Sequence, residues 1–287
     1  MISIRIRGGL GNQLFQYATA YSIAKDRHED LGLEITSYQT RKWPRYELSK
    51  LQIKPDIIIN PRFGKSVVDK AFFNKVKSRL SIGLGTNRFK ETGEVTSFHP
   101  EVLGVKQNTY LNGFFQNEKY FLKYRNDLIE QFRPNFELEF ESSNWIKKVG
   151  NCESVAVHVR RGDYVKIGCG ISMEYYDAAI QFMLQKVNGP RFFVFSDEIE
   201  FCEDYFSKYP EIHFEYVNDI PNSDNKDINE FFVMSACKNQ IIANSSFSWW
   251  GAWLNNNERK KVVAPVVGMW TKEFYPPDWE TMNIKDK

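Results

Sequence analysis

The segment HVRRGDYVKIGCG, residues 158–170, places a histidine, two arginines and an aspartate directly after an apolar run. Desolvating such charges costs free energy unless each charge has a partner. An arginine side chain matches two phosphate oxygens at once, and the ring of His158 can hydrogen-bond a base or a phosphate. We therefore expect an anionic ligand at Arg160 and Arg161, although an internal salt-bridge network with Asp163 is an open alternative.

The segment GGLGNQLFQYA, residues 8–18, is a second candidate anion site. Its glycines predict a turn that directs backbone N–H groups and a helix N-terminus at a ligand, and the side chains of Asn12 and Gln13 add amide donors. The segment lacks the third glycine of a dinucleotide-binding fingerprint, and no Gly-Lys-Ser/Thr follows it. Neither a nicotinamide site nor a Walker A loop is therefore expected. A plain tight turn is the alternative.

Two polar segments in the second half of the chain also follow apolar runs. In IIANSSFSWWGAWL, the hydroxyls of Ser245 and Ser246 can cap a helix and donate to a phosphate, whereas the three tryptophans are expected in the core. In FVFSDEIEFC, the carboxylate of Asp197 can accept two hydrogen bonds from the N1–H and N2–H₂ edge of guanine. A simple helix N-cap at Asp197 is the alternative.

Strands and helices must bring these segments together. The alternation of apolar and polar residues in ISIRIR predicts a strand, and SVAVHVR, RFFVFSD, IHFEYV, QIIANSS and KVVAP predict further strands, with helical periodicity between them. Strands that alternate with helices predict parallel, doubly wound sheets. Ligands of such sheets bind at the carboxyl ends of the strands. We therefore expect the clusters at 158–163, 196–197 and 244–246 to converge.

The composition excludes several classes of protein. The chain has 287 residues, enough for one large domain or two ordinary ones, and its net charge of +2 argues against a nucleic-acid-binding surface. Its four cysteines match no zinc-binding spacing and fit a reducing compartment. Neither a signal peptide nor a run of about 18 apolar residues is visible, so a soluble cytoplasmic protein is expected.

Taken together, GGLGNQLFQYA, HVRRGDY and NSSFSWWGAWL resemble motifs of the α-1,2-fucosyltransferase family, also called glycosyltransferase family eleven. The first and the last are similar to the family motifs over their full length. The second resembles the His-x-Arg-Arg-x-Asp element shared with α-1,6- and protein O-fucosyltransferases, and FFVFSDEIEFC resembles a further strand-end motif. The order and spacing of these motifs extend the resemblance over most of the chain.

The resemblance implies an α/β fold of the GT-B type, with two Rossmann-like domains facing each other across a cleft. It implies an N-terminal domain at 1–145, which carries the GGLGNQ loop and is the expected acceptor side, a GDP-fucose-binding domain at 146–270 and a C-terminal tail at 271–287. It further implies an inverting, metal-independent galactoside α-1,2-fucosyltransferase. Such an enzyme moves L-fucose from GDP-β-L-fucose to the 2-hydroxyl of a terminal galactose in an oligosaccharide or surface polysaccharide.

Carried over to this chain, the resemblance implies a catalytic role for Arg160, which would contact the β-phosphate of the leaving GDP. Asp163 is the first candidate for a base, and Glu174 is a weaker one. This chain has Glu198 where the family has a second aspartate, so either Asp197 or Glu198 would contact guanine. The residues expected to bind the donor are Gly11, Asn12, His158, Arg161, Asp197, Asn244, Ser245, Ser246 and Phe247.

Two other functions stay open: transfer of a different GDP-sugar, such as GDP-mannose, and carbohydrate binding without catalysis. The chain has no Asp-x-Asp motif, which holds a divalent metal in many sugar transferases. We therefore expect no metal and no other cofactor, with Arg160 and Arg161 neutralising the diphosphate instead. The expected partners are GDP-fucose and a galactose-terminated glycan. Peripheral association with the inner face of a membrane stays open, and nucleic acid is not expected.

Overall fold

The computed structural model describes residues 1–39, 45–59 and 87–284. The chain divides into two compact units, Met1–Asn135 and Phe136–Lys287. Each unit is built on a parallel β-sheet, as the alternation of strand and helix patterns predicts. No helix in the described part of the chain is both long enough and apolar enough to cross a membrane.

The described part of the first unit contains five strands and two α-helices. They are β1 (Ile2–Arg5), α1 (Leu10–Arg27), β2 (Leu31–Glu34), β3 (Ile57–Ile59), β4 (Asn87–Lys90), β5 (Thr109–Asn112) and α2 (Arg125–Gln131). The strands pair in parallel in the order β3-β2-β1-β5-β4. Between β1 and α1, Gly8 has a φ of +83°. Glycine adopts this left-handed conformation at little cost, and the chain can therefore turn sharply from strand to helix.

The described part of the second unit contains six strands and six α-helices. They are α3 (Phe140–Gly150), β6 (Ser154–Val159), α4 (Gly162–Lys166), α5 (Met173–Lys186), β7 (Arg191–Ser196), α6 (Ile199–Phe206), β8 (Phe214–Tyr216), α7 (Lys226–Ala236), β9 (Asn239–Ile241), α8 (Ser246–Leu254), β10 (Val262–Val266) and β11 (Glu280–Asn283). The parallel order is β11-β10-β9-β6-β7-β8. The order changes direction between β6 and β9, which is where open sheets of this kind bind ligands.

The core of the second unit lies on both faces of its sheet. Alternate residues of β6 pack against α5 and α6 in a cluster that includes Val155, Val157, Val159, Ile180, Met183 and Phe206. Each such side chain stabilises the fold by about 1.5–3 kcal/mol. On α8, Trp249, Trp250 and Trp253 are almost completely buried, which confirms their expected place in the core. A Cβ on Gly251 would lie 2.5 Å from the terminal methyl of Met234, so α8 packs closely on α7 at this glycine.

The division between the units differs from the expected boundary after residue 145. It falls after Asn135, because α3 packs against α7 and therefore belongs to the second unit. The backbone N–H of Glu139, which precedes α3, also donates to Oδ1 of Asn229 in α7 (3.0 Å). The helix α3, which spans the expected boundary, thus belongs entirely to the second unit.

The segment expected to be a C-terminal tail is part of the second sheet. Within residues 271–284, strand β11 pairs in parallel with β10 over four positions and forms one edge of the sheet. The tail prediction is therefore wrong for these residues. Parts of the expected domains and tail, at 40–44, 60–86 and 285–287, lie outside the described residues.

Candidate functional site

The end of β6 positions Arg160. Arg160 forms two ion pairs: its Nη2 lies 2.6 Å from Oδ1 of Asp163 in α4, and its Nη1 lies 3.1 Å from Oδ2 of Asp197. Asp197 is nearby because the sheet register pairs Val159 of β6 with Ser196 of β7, and both chains leave the sheet at this point. About one third of the Arg160 side chain is exposed, so its guanidinium can be reached from solvent.

Arg161 is anchored to the start of α6. Its backbone N–H donates to Oδ1 of Asp197 (3.0 Å), and its Nε donates to Oε2 of Glu198 (2.7 Å). Its guanidinium carbon also lies 3.5 Å from the centroid of the Phe201 ring, a cation–π contact. Glu198 and Phe201 are three residues apart at the start of this helix, so they lie on one side of it. The side chain of Arg161 is consequently more enclosed than that of Arg160.

Asp197 lies at the centre of an arginine–carboxylate cluster, which consists of Arg160, Arg161, Asp163, Asp197 and Glu198. A Cβ on Gly162 would lie 2.6 Å from Oδ2 of Asp197, so glycine at this position permits the close approach. Asp197 does not cap α6. The helix begins at Ile199 with Glu198 as its N-cap residue, and the N–H of Glu198 donates to Oγ of Ser196 (3.0 Å). The N-cap alternative for Asp197 is therefore wrong.

The internal salt-bridge network that the sequence left open is present. Two arginines face three carboxylates, a net charge of −1 for the cluster. The premise that these arginines lack partners within the chain is therefore wrong, and an anionic ligand would compete with these carboxylates for Arg160. The side chain of Asp163 is 62% exposed and can rotate away. Asp197 is 25% exposed and is also held by the Arg161 N–H.

The N-terminus of α8 carries the two serines. Ser245 is the N-cap residue, and its Oγ accepts the N–H of Phe247 (3.2 Å). The Ser245 hydroxyl also hydrogen-bonds Tyr164 of α4, and Ser246 is the first residue of the helix. The first turn contains no acidic residue that would oppose an anion. The Phe247 ring lies 5.8 Å from the His158 ring between centroids, so the structure brings these parts of the expected donor site together.

The glycine turn of the first unit uses its amide side chains differently. Oδ1 of Asn12 accepts Nε2 of Gln116 (2.6 Å). Gln13 is completely buried and makes four hydrogen bonds to backbone groups, so its amide is not available to an anion. Gly11 lies in the first turn of α1. Of the residues expected here, Gly11 and Asn12 therefore stay predicted donor contacts, and Gln13 has a structural role.

His158 lies on the opposite side of β6 from the three valines and is 7% exposed. Burial lowers the pKa of His158 to about 4; the charge of Arg160 lowers it too, and that of Asp197 opposes the change. The ring is therefore neutral in the folded protein at neutral pH. Its buried Nδ1 has no hydrogen-bond partner among the described residues.

Acid is expected to destabilise the protein through His158. As the pH falls from 6.5 to 4, only the unfolded chain takes up this proton, so the free energy of unfolding should fall by up to about 3 kcal/mol. The His158→Gln variant lacks this contribution, and its unfolding free energy should depend less steeply on pH in urea titrations between pH 4 and 7. His213→Gln is the control because His213 is mostly exposed. Equal slopes for the parent and His158→Gln would contradict the burial argument.

Two aromatic residues that contact the arginines of the cluster were not predicted from the sequence. The ring of Tyr164 lies 5.6 Å from the Arg160 guanidinium carbon, and Phe201 contacts Arg161 as described. The spacing of Phe201 from Glu198 on a predicted helix is a signal that can locate it. Glu174, the weaker candidate for a base, lies in the first turn of α5, where its backbone N–H donates to Oγ of Ser172 (3.4 Å).

The chain is similar to known glycosyltransferases along most of its length. The sequence profile of glycosyl transferase family 11 matches residues 92–281, more than half of the 287 residues. The chain is 34% identical to an alpha-1,2-colitosyltransferase from Escherichia coli, over 93% of this chain and 91% of that protein. It is 31% identical to the O-antigen biosynthesis glycosyltransferase WbnK from Escherichia coli, over 91% and 92%. A galactoside 2-alpha-L-fucosyltransferase from Bos taurus is 23% identical over 50% of this chain and 41% of that protein.

The fold is also similar to that of a solved fucosyltransferase. The crystal structure of NodZ alpha-1,6-fucosyltransferase soaked with GDP-fucose superposes with a TM-score of 0.51 and 14% identity, over 88% of this chain and 92% of that chain; the NodZ protein is from Bradyrhizobium. At this identity the similarity concerns the fold alone. It confirms the predicted GT-B-type α/β fold with two Rossmann-like units.

Proposed function

Because the chain belongs to glycosyl transferase family 11, we propose that it is an inverting α-1,2-fucosyltransferase that uses GDP-β-L-fucose. The proposed acceptor is the 2-hydroxyl of a terminal galactose in an oligosaccharide or surface polysaccharide. The arginine–carboxylate cluster beside the N-terminus of α8 carries this proposal, because an arginine and a helix N-terminus together stabilise a leaving diphosphate. The α-1,2 linkage in the names of two relatives supports the position of attack.

The donor is proposed to bind with its diphosphate between Arg160 and the α8 N-terminus. Asp163 rotates away from Arg160 when the diphosphate arrives, since it is the more exposed of the two carboxylate partners. The hydroxyls of Ser245 and Ser246 and the N–H groups of the first turn then donate to phosphate oxygens. Arg161 contributes positive charge from its position against α6. Asn12 and Gly11 stay predicted donor contacts.

The guanosine is proposed to lie over the His158 and Phe247 rings. The neutral imidazole can accept or donate a hydrogen bond without bringing a charge into a buried place. Asp197 and Glu198 are the candidates for the two hydrogen bonds to guanine N1–H and N2–H₂. Because Asp197 already accepts from Arg161 and Arg160, Glu198 is the carboxylate with the smaller number of competing partners.

In the proposed reaction, the acceptor oxygen forms a bond to the anomeric carbon while the bond from that carbon to the β-phosphate oxygen breaks. The bonding electron pair leaves with GDP, and Arg160 stabilises the charge that develops there. The proton of the accepting hydroxyl passes to a base, for which Asp163, once rotated away from Arg160, is the first candidate. The proposed reaction uses no metal ion, because Arg160 and the N–H groups at the α8 N-terminus are proposed to stabilise the charge of the diphosphate. The four free cysteines fit a reducing, cytoplasmic location.

Transfer of a 3,6-dideoxy sugar is a second candidate function, favoured by the 34% identity to an alpha-1,2-colitosyltransferase. Colitose is L-fucose without its 3-hydroxyl, so the two donors make the same diphosphate contacts. The ratio of kcat/KM for GDP-fucose and GDP-colitose distinguishes them. A site that hydrogen-bonds the 3-hydroxyl of fucose is expected to prefer fucose strongly. Colitose lacks this hydroxyl and would leave the protein group that bonds to it unpaired.

Binding of GDP in EDTA tests the proposed function directly. At about one hundred times its Kd, GDP or GDP-fucose should stabilise the fold by about 2.7 kcal/mol, which raises Tm by roughly 5–10 °C. UDP-galactose and NAD should have no effect. Incubation with GDP-fucose and lactose in EDTA should then release GDP and yield an α-linked product, whose anomeric configuration NMR reports. A melting temperature that no GDP compound raises would contradict the proposal.

A further inference from the structure

A cavity of about 500 Å³ lies beside the arginine–carboxylate cluster, at the same end of the second sheet. It is open to solvent on one side and is lined by the segment that joins α4 to α5, by Asn244 in the β9–α8 connection and by the segment after β10. Its lining includes Val165, Ile171, Ser172, Asn244 and Trp270. This volume is within the range of about 300–1,000 Å³ that is typical of ligand-binding pockets. It exceeds the space that one six-carbon sugar fills.

The chemistry of this cavity differs from that of the cluster next to it. Among the described residues that line it, none is charged. The lining combines the Trp270 ring and aliphatic side chains with the polar groups of Ser172 and Asn244. An aromatic face with a few hydrogen-bonding groups suits a neutral saccharide, whose C–H surface packs on the ring while its hydroxyls bond to the polar groups. It does not suit a diphosphate.

Asn244 helps to fix the wall of the cavity. Its side chain is 1% exposed, and its Nδ2 donates to the carbonyl oxygen of Cys169 (2.9 Å), another residue of the lining. This bond ties the segment that joins α4 to α5 to the β9–α8 connection.

Tyr164 connects the cavity to the proposed reacting centre. The centroid of its ring lies 6.5 Å from that of Trp270 and 5.6 Å from the Arg160 guanidinium carbon. On the other side, Asn244 directly precedes Ser245, the N-cap residue of α8. A saccharide in the cavity therefore lies next to the diphosphate proposed at Arg160, where the accepting hydroxyl is needed.

We propose that this cavity is a subsite for the acceptor glycan, in which Trp270 packs on a sugar ring. The proposal rests on the proposed function. It gives the second unit a part in acceptor recognition that the resemblance assigns to the first. The size of the cavity indicates that more than one sugar ring is bound.

Replacing Trp270 tests the subsite. With saturating GDP-fucose, Trp270→Ala should raise the KM for lactose by about tenfold or more, and Trp270→Phe should raise it less because an aromatic ring remains. Three other quantities should stay within twofold of the parent values. They are the KM for GDP-fucose, the rate at which GDP-fucose is hydrolysed without acceptor, and the increase in Tm that GDP causes. Trp145→Phe is the matched control, since Trp145 lies on α3 and does not line the cavity; its lactose KM should be unchanged.

The possible results separate this inference from the proposed function. If the parent transfers fucose to lactose but Trp270→Ala has an unchanged lactose KM, the acceptor binds elsewhere and the inference is wrong. If the KM for GDP-fucose rises instead, the cavity holds the donor sugar, which also overturns it. If the parent binds GDP but transfers to none of lactose, N-acetyllactosamine and methyl β-D-galactoside, the acceptor class and the inference both fail. If GDP does not bind, the proposed function is wrong, and the inference is wrong with it because it rests on that function.

Discussion

The Arg160→Ala variant is expected to lose sugar transfer by at least about 100-fold, because removing one group that stabilises the charge of the transition state typically costs about 10²–10³ in kcat. Its free energy of unfolding should change by less than about 1 kcal/mol, since exposed ion pairs contribute little to stability. The side chain is about one third exposed, and Asp163, one of its two partners, is mostly exposed. The kcat at saturating GDP-fucose and the unfolding midpoint in urea measure the two effects.

Two further variants make the Arg160 experiment specific. Arg160→Lys keeps the positive charge but loses the planar pair of donors, so it should recover only part of the lost rate. Arg259→Ala removes an equivalent charge from an exposed position of the second unit and should leave the rate unchanged. Activity of Arg160→Ala within a few-fold of the parent would contradict the role proposed for this residue, provided that the parent uses GDP-fucose.

The strand pattern of the second unit could be predicted because each strand carries its own local signal. SVAVHV is almost entirely apolar, as expected for a strand covered on both faces, and it forms β6. RFFVFS forms β7 in the same way. The carboxyl ends of parallel strands share one edge of a sheet, so the expected convergence of the clusters after β6, β7 and β9 follows from topology alone. The structure confirms it through the contacts of Arg160 with Asp197 and of His158 with Phe247.

The pairing of charges within the cluster could not be predicted, because it depends on sheet register. Asp197 is 37 residues from Arg160 in sequence. The two side chains meet only because Ser196 pairs with Val159 in neighbouring strands. Residue types alone do not specify register, since several alignments of two apolar strands bury the same faces. The sequence alone therefore does not decide whether Arg160 binds an external anion or an internal carboxylate.

The different roles of the Asn12 and Gln13 amides could not be predicted from the sequence either. Asn12 and Gln13 are adjacent and both carry amides, but successive residues of a helix point about 100° apart. Asn12 consequently reaches Gln116, which is 104 residues away, while Gln13 points into the core of the first unit. Which of the two faces the core depends on the exact start of α1, and helix starts are the part of a sequence-based prediction with the largest error.

The Gln13→Met variant is expected to lower the free energy of unfolding by about 3–4 kcal/mol, although methionine has nearly the same volume. Nε2 of Gln13 donates to the carbonyl oxygens of Gly8 (3.0 Å) and Arg45 (2.9 Å). Its Oε1 accepts the N–H groups of Glu47 (2.9 Å) and Leu48 (3.4 Å). One buried amide thus joins the glycine turn to residues 45–48. Methionine replaces none of these bonds and leaves the buried N–H groups of Glu47 and Leu48 unpaired, at about 1–3 kcal/mol each.

Gln16→Met is the matched control for this prediction. Gln16 lies in the same helix and is equally buried. However, its Oε1 accepts only the N–H of Arg7 (2.9 Å), and its buried Nε2 has no partner among the described residues. The substitution removes one hydrogen bond and also removes an unpaired donor, so its cost should be about 1 kcal/mol or less. Urea unfolding of both variants measures the difference, and similar costs would show that the four bonds of Gln13 do not hold residues 45–48 on the glycine turn.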